Sequence, residues 1–265
     1  MKRWFFFFSR FKFLNFKIKT NFQSLKSKTN IKKIEKWFLI SCSIVLLLVS
    51  LMSLIDIQPS WEIYKKKVIR YQQKRIPGWC CREKASKIMN LIYETKPAVC
   101  VEIGIFSGAS AYPTAAALSF QKKGIIHAID PWSKEECLKG YNQDDANACW
   151  WKEVDFEHVY DKFTRILTRK RLLLFCHVMR MTSQKASIYF ENESIDILHI
   201  DGNHSEQVSF ADVKMFLPKV KKGGYIWFDD ANWATTKKSV HYLMQFCSLD
   251  VDRSIDNSCC LFKKN

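Results

Sequence analysis

The stretch Val99-Cys-Val-Glu-Ile-Gly-Ile-Phe-Ser-Gly-Ala-Ser110 decides the fold. It begins inside an apolar run, Ala98–Ile103, short enough for a buried strand, and ends where a helix of small residues, Ser110–Gln121, takes over. Between them lies Glu102-x-Gly104-x-x-x-Gly108. Glycines at a strand-to-helix turn let the backbone approach a ligand, and the helix that follows offers unpaired N–H groups. A nicotinamide-binding fold uses a related turn, so this element alone leaves the ligand open.

The same alternation continues outward. Upstream, Cys81–Glu94 carries Ala85, Ile88, Met89 and Ile92 at helical spacing and stops at Lys96-Pro97. Downstream, apolar runs at Gly124–Asp130, Leu172–Met179, Ile195–Asp201 and Gly224–Phe228 are separated by helical stretches at Lys152–Arg169 and Ser205–Leu217. A last helix over Thr235–Phe246 precedes two short strand candidates, Leu249–Arg253 and Ser258–Phe262. Strands alternating with helices predict an α/β fold, a Rossmann-like doubly wound sheet covered on both faces, and the final pair reads as an antiparallel hairpin on its edge. The polar, aromatic connection Trp132–Asp155, with Tyr141, Trp150 and Trp151, has no periodic pattern and is expected to form a lid.

Charge separates this domain from what precedes it. The 265 residues carry a formal +16, which suggests a nucleic-acid binder until it is divided. Residues 1–75 hold 17 basic and 3 acidic side chains, whereas residues 76–265 hold 25 and 23. The near-neutral larger part argues against a nucleic-acid partner. In the arm, residues 1–36 form a basic tail in which Trp4, Phe5–Phe8, Phe11, Phe13 and Phe16 interleave with cations, a composition suited to membrane lipids. Trp37 to Ile55 is 19 residues without a charge, so a transmembrane helix is expected over 37–57. A juxtamembrane helix and linker over 58–79 would then join it to a catalytic domain over 80–265. Ten cysteines without a C-x-x-C pair argue against zinc, and Cys100 and Cys176 read as core residues.

Two further motifs carry chemistry. Asp130, in Ile129-Asp-Pro-Trp132, lies 22 residues past Gly108 at the end of the second run, where a carboxylate can accept both hydroxyl hydrogens of a ribose. The most informative stretch is Ile195-Asp-Ile-Leu-His-Ile-Asp-Gly-Asn-His204, followed after a helix by Gly223-Gly-Tyr-Ile-Trp-Phe-Asp-Asp230. Asp201 closes one strand and Asp229-Asp230 close the next. Adjacent strands lie about 4.8 Å apart, so these carboxylates are expected to converge and to be joined by a divalent cation, Mg²⁺ or similarly Mn²⁺ or Ca²⁺. Asn203 and Glu206 have capping-box spacing, which makes His204 the first helical residue and predicts a neutral imidazole able to accept a proton. His127, His177 and His199 fall inside strands and read as core or supporting residues.

Together these motifs resemble the class I S-adenosylmethionine-dependent methyltransferases, and more narrowly the metal-dependent sugar O-methyltransferase branch that includes the macrocin and mycinamicin enzymes. The resemblance covers about residues 80–265. It implies a seven-stranded sheet with one antiparallel strand. It also implies that Glu102, Gly104 and Gly108 line the methionine end of S-adenosylmethionine and that Asp130 holds its ribose. Asp201, Asp229 and Asp230 would be the divalent-metal ligands and His204 the general base, with Asp201 beside it in catalysis. Many relatives place an acidic residue after the third strand to meet the adenine amino group; here the sequence is Arg180-Met-Thr-Ser183, which leaves Thr182, Ser183 or backbone for that contact.

The expected reaction is methyl transfer to a hydroxyl of a small molecule or glycan. A nicotinamide oxidoreductase and a non-catalytic tethered binding protein are the alternatives. Both flanks of the apolar run are basic, and the tail charge favours a cytosolic N-terminus. Access to a cytosolic cofactor instead favours a single-pass membrane protein with its domain in the cytosol.

Overall fold

The computed structural model describes residues 36–45, 59–142 and 144–265. The chain divides into two units, Met1–Gln58 and Pro59–Asn265. In the first, residues 36–45 form helix α1. The expected membrane-spanning helix over 37–57 is corrected on this point, and with it the single-pass localisation. Among the described residues no helix is long and apolar enough to cross a membrane; α1 is described over residues 36–45. Residues 46–58 and the basic aromatic tail up to residue 35 lie outside the described residues.

The second unit is built on strands β1 (Val99–Ile103), β2 (Ile125–Ile129), β3 (Cys176–Met179), β4 (Ile195–Ile200), β5 (Val220–Phe228), β6 (Cys247–Ile255) and β7 (Cys259–Lys264). They form one sheet in the order β3-β2-β1-β4-β5-β7-β6. The first five are mutually parallel, and β7 runs antiparallel between β5 and β6. The two β6–β7 partners are the hairpin expected from the last apolar runs.

Period-2 alternation sorts the strand side chains into two cores. Cys100, Ile126, Ala128, Cys176, Ile197 and Trp227 face one side, where they meet helices α2 (Trp61–Arg75), α3 (Arg82–Thr95), α4 (Ala111–Gln121) and α7 (Phe156–Arg169). Val101, Ile103, Leu198, Ile200, Ile226 and Phe228 face the other, under α9 (Glu206–Phe216) and α10 (Lys237–Phe246). Cys100 and Cys176 are buried, as their apolar surroundings predict. Helix α3 stops where Lys96 takes a left-handed conformation just before Pro97, a turn that proline cannot extend as helix.

Helix α2 packs within this unit. Val68, Ile69 and Gln72 are buried, Tyr64 donates its hydroxyl to the Ala116 carbonyl (3.1 Å), and Gln72 donates to the Cys80 carbonyl (2.9 Å). The connection expected to lack pattern contains two short helices, α5 (Lys134–Leu138) and α6 (Ala146–Glu153). Ser133 caps the first through the Glu136 N–H and Asp145 caps the second through the Asn147 N–H. A five-residue helix, α8 (Ser183–Ser187), follows β3 and was too short for periodicity to reveal.

Candidate active site

The carboxyl ends of β1, β2, β3, β4 and β5 open into a cavity of about 550 Å³. A sheet of this kind binds its ligands at that edge, and the volume is that of a small-molecule site. Gly104, Ser110, Asp130, Thr182, Ser183, Asp201, His204, Asp212 and Asp230 all line it.

The two glycines of the first turn are required by packing. Gly104 has φ +86°, and a Cβ there would stand 2.0 Å from the Asp201 carbonyl oxygen. Gly108 has φ +84°, and its Cβ would meet the Phe163 ring at 2.3 Å. The β1 turn thus seats directly on the end of β4, which brings the loop N–H groups and Asp201 to one place. Asp130 holds this turn. Its Oδ2 accepts from the Ile105 and Phe106 N–H groups, both at 2.9 Å, and its Oδ1 accepts from the Trp132 N–H at 2.6 Å. A carboxylate has about four acceptor positions, so three are engaged and one remains for a ligand hydroxyl. Burial pushes the Asp130 carboxyl up, and the three backbone donors oppose that shift.

Glu102 takes a different place from the one its motif implies. It is 1% exposed and lies beneath the cavity, accepting from Ser110 Oγ and facing His199 Nδ1 at 3.6 Å. The reason is register: Glu102 pairs with His199, and both side chains point to the face covered by α3 and α4.

The three carboxylates at the ends of β4 and β5 separate into two groups. Asp229 turns inward, accepts from Lys84 Nζ, and meets His199 Nε2 at 2.9 Å. Lys84 Nζ also lies 3.2 Å from Asp201 Oδ2. The cation that converging carboxylates call for is therefore, for Asp201 and Asp229, the ammonium of Lys84. Burial works against the Lys84 ammonium, but Asp201 and Asp229 together hold its pKa well above the usual value. Despite its own burial, Asp229 is kept well below the carboxylate range by Lys84 and His199. Burial and the Asp229 charge push Asp201 upward. His199 is pushed up to about 9: burial opposes its charge, and Glu102 and Asp229 outweigh burial.

The second group faces the cavity. Asp230, at φ +49°, places Oδ2 2.9 Å from His204 Nε2, and Asp201 Oδ1 lies 3.8 Å from the same nitrogen. Donor atoms of Asp201, His204 and Asp230 all lie within 4.8 Å of one another, as do those of His199, Asp201 and Asp229. The first set fits a divalent cation through its two carboxylates; in the second, the Asp229 oxygen is already bound to Lys84 and His199.

His204 departs from its expected setting. Helix α9 begins at Glu206 with Ser205 as its cap, so His204 precedes the helix and Asn203 does not cap it. The Asn203 amide instead faces the lid, its Nδ2 within 3.3, 3.2 and 2.9 Å of the Glu136, Cys137 and Lys139 carbonyls, while Oδ1 accepts from the Ser205 N–H. The His204 N–H donates to the Tyr141 hydroxyl at 3.0 Å. The basicity of His204 is set by the neighbouring carboxylates, not by a helix end. Burial lowers the His204 pKa, yet the Asp230 contact and the Asp201 and Asp230 charges raise it on balance.

Sequence reasoning missed Lys84, Tyr141 and Asp212. Lys84 had a readable signal, because it lies in line with Ile88 and Ile92 on the apolar stripe of α3. His127 and His177 face each other on β2 and β3 with Nδ1 atoms 3.3 Å apart, away from the cavity. Aromatic rings of Trp79, Phe106, Trp150 and Trp151 cluster at the opposite wall, with centroids 4.6 to 6.4 Å apart.

Residues 101–231 match the model of a family described as methyltransferase domain. A curated relative, the uncharacterized protein y4gI of Sinorhizobium fredii (strain NBRC 101917 / NGR234), is 24% identical over 143 residues, 54% of this chain; the match spans only 14% of that relative's length. Among solved structures the chain is similar to the O-methyltransferase NovP (TM-score 0.59, 14% identity, 77% of this chain and 99% of that one). It is also similar to the S-adenosylhomocysteine-bound methyltransferase PaMTH1 of Podospora anserina (TM-score 0.54, 14% identity, 78% and 88%). A third is the putative caffeoyl-CoA O-methyltransferase of Staphylococcus aureus (TM-score 0.52, 13% identity, 83% and 100%). At these identities the likeness is one of fold.

Proposed function

We propose that the chain, whose residues 101–231 match a methyltransferase-domain family, is a class I S-adenosylmethionine-dependent methyltransferase that transfers the methyl group to a hydroxyl of a small-molecule or glycan acceptor. The observation that carries this reading is the pair His204–Asp230 at 2.9 Å, facing the same cavity as the glycine turn and Asp130. The sheet order supports it against a nicotinamide oxidoreductase, since the antiparallel β7 inserts where that fold continues with a parallel strand.

An alcohol attacks a sulfonium methyl poorly while it keeps its proton. A carboxylate only accepts, so Asp230 fixes the Nε2–H tautomer of His204 and leaves Nδ1 with the lone pair. That nitrogen takes the hydroxyl proton as the oxygen–carbon bond forms and the carbon–sulfur bond breaks, and the electron pair leaves with S-adenosylhomocysteine. The side-chain-free backbone at Gly104 and the remaining acceptor position of Asp130 would hold the cofactor. Asp201 and Asp230 would hold a divalent cation, which supplies Lewis-acid stabilisation of the acceptor oxygen when bound.

The test is methyl transfer from labelled S-adenosylmethionine to a panel of diols, catechols and glycans. His204→Gln should lose at least about a hundredfold in kcat, the usual worth of a positioned base. Undiminished turnover in that variant would remove His204 as base. Turnover that persists in Asp201→Ala or Asp230→Ala enzyme under chelator would remove the metal.

A further inference from the structure

His127 on β2 and His177 on β3 take no part in the cavity. They are direct register partners in the parallel β2–β3 pair, so both side chains stand on one face of the sheet. His127 is half-buried, and His177, on the outermost strand, is exposed and so is no core residue. Their Nδ1 atoms face each other at 3.3 Å, with the ring planes at 75° and the centroids 5.4 Å apart. The buried Phe190 ring packs at 89° against His127, with centroids 5.1 Å apart, which limits the rotation of that imidazole. A nitrogen donor usually stands about 2.7–3.2 Å from its acceptor, so a hydrogen bond between the two rings is long. Two nitrogens bound to one zinc ion at about 2.0–2.1 Å in a tetrahedron stand about 3.3–3.4 Å apart; a right-angled pair, as in square-planar or octahedral coordination, would close to about 2.8–3.0 Å.

We propose that His127 and His177 form a site for a tetrahedral divalent transition metal, zinc by its geometry, bound through both Nδ1 atoms with water in the two remaining positions. The site is independent of the methyltransferase reading, because neither ring reaches the cavity. Each neutral imidazole has one lone pair. A metal uses both lone pairs at once, with the ring hydrogens on Nε2, whereas a hydrogen bond must place a proton on one Nδ1. Strand register brings the two ligands together before any ion arrives, and the exposed side of His177 leaves an entry path and room for water. Imidazole donors suit zinc, copper or nickel, and magnesium prefers oxygen, so the pair differs in selectivity from the carboxylates of Asp201 and Asp230. No thiol joins it from the adjacent position, since Cys176 faces the opposite core. In the sheet β3 pairs with β2 alone, so a bound ion clips the outer strand to its neighbour.

The experiment titrates the full chain with zinc against a chromophoric chelator and follows the histidine ring nitrogens by NMR. Cys81 and Cys149 are exposed, and the Asp201–His204–Asp230 group can also take an ion, so the readout is the difference between proteins that share these groups. Wild type should hold one more zinc equivalent than His177→Gln or His127→Gln. At this site either variant should lose at least about tenfold in affinity, since even the groups that only support a metal ligand are worth that much. Zinc should move the Nδ1 resonances of both rings together and leave Nε2 protonated, and magnesium should move neither. Each variant decides the outcome alone if the other does not fold. Equal zinc content in wild type and variants, a shift confined to one ring, or a shift that marks Nε2 as the ligand would overturn the proposal.

Discussion

Lys84 on α3 and Asp229 at the end of β5 form a buried ion pair across 145 residues of sequence, and the same ammonium reaches Asp201. It is the contact by which the helix preceding β1 fixes the two carboxylate strands beneath the cavity. Removing the ammonium leaves two carboxylates buried and facing each other. Lys84→Met should destabilise the fold by about 3–5 kcal/mol, the usual effect of stranding one member of a buried pair. Urea unfolding at neutral pH checks this, and a change below about 1 kcal/mol would show that the carboxylates find other partners.

Gly104 is constrained by position more than by flexibility. At φ +86°, with the Asp201 carbonyl 2.0 Å from where a Cβ would be, alanine has no room unless the β1 turn lifts off β4. Gly104→Ala should therefore cost about 2 kcal/mol or more and weaken S-adenosylhomocysteine binding with it. Thermal unfolding with and without that ligand separates the two effects. A variant with wild-type Tm would contradict the close approach.

The stability of the domain should depend on pH through Asp212. Burial raises its pKa from 3.8 to about 6, with the Ser183 hydrogen bond opposing. The folded state therefore binds the proton more tightly than the unfolded chain does. Stability is penalised as pH rises from about 4 through 6, and the penalty persists above that range. Asp212→Asn lacks the titration, so it should gain up to about 3 kcal/mol over wild type at pH 7.5 and nothing at pH 4. Paired urea titrations at the two pH values read the difference.

The layered fold and the site residues were legible in the sequence to different depths. Strand periodicity works over one face at a time, so Val99–Ile103, Ile195–Ile200 and the terminal hairpin could be placed from their own residues. Gly104, Asp130, Asp201, His204 and Asp230 could be found because each ends a strand or follows one. What the sequence could not convey was which way neighbouring carboxylates turn. Asp229 and Asp230 are consecutive, and only the left-handed backbone at Asp230 sends one inward to Lys84 and the other outward to His204. The spacing of Lys84 with Ile88 and Ile92 marks it as buried but does not name its partners, which lie on distant elements, and no local spacing announces Asp212. The apolar stretch Trp37 to Ile55 invited a membrane reading by composition alone, and only its residues up to 45 are among those described, as helix α1.

The lid is tied to the site by Asn203, which yields a test that is independent of chemistry. Its side-chain amide meets the carbonyls of Glu136, Cys137 and Lys139, and Gly140 at φ +77° approaches so closely that a Cβ would stand 2.4 Å from Ser205 Oγ. Asn203→Ala removes the amide while leaving the His204 N–H to the Tyr141 hydroxyl in place. Each lost hydrogen bond is worth about 1 kcal/mol, so the lid should open more often without the fold unravelling. Trypsin should then cut at Lys139 about tenfold faster, in proportion to the open population. If the segment Trp132–Asp155 encloses the acceptor as its sequence leads one to expect, KM for the acceptor should rise more than kcat falls, since His204 and Asp230 keep their contact. A fall confined to kcat would place Asn203 in the chemistry instead, acting on His204 beside it.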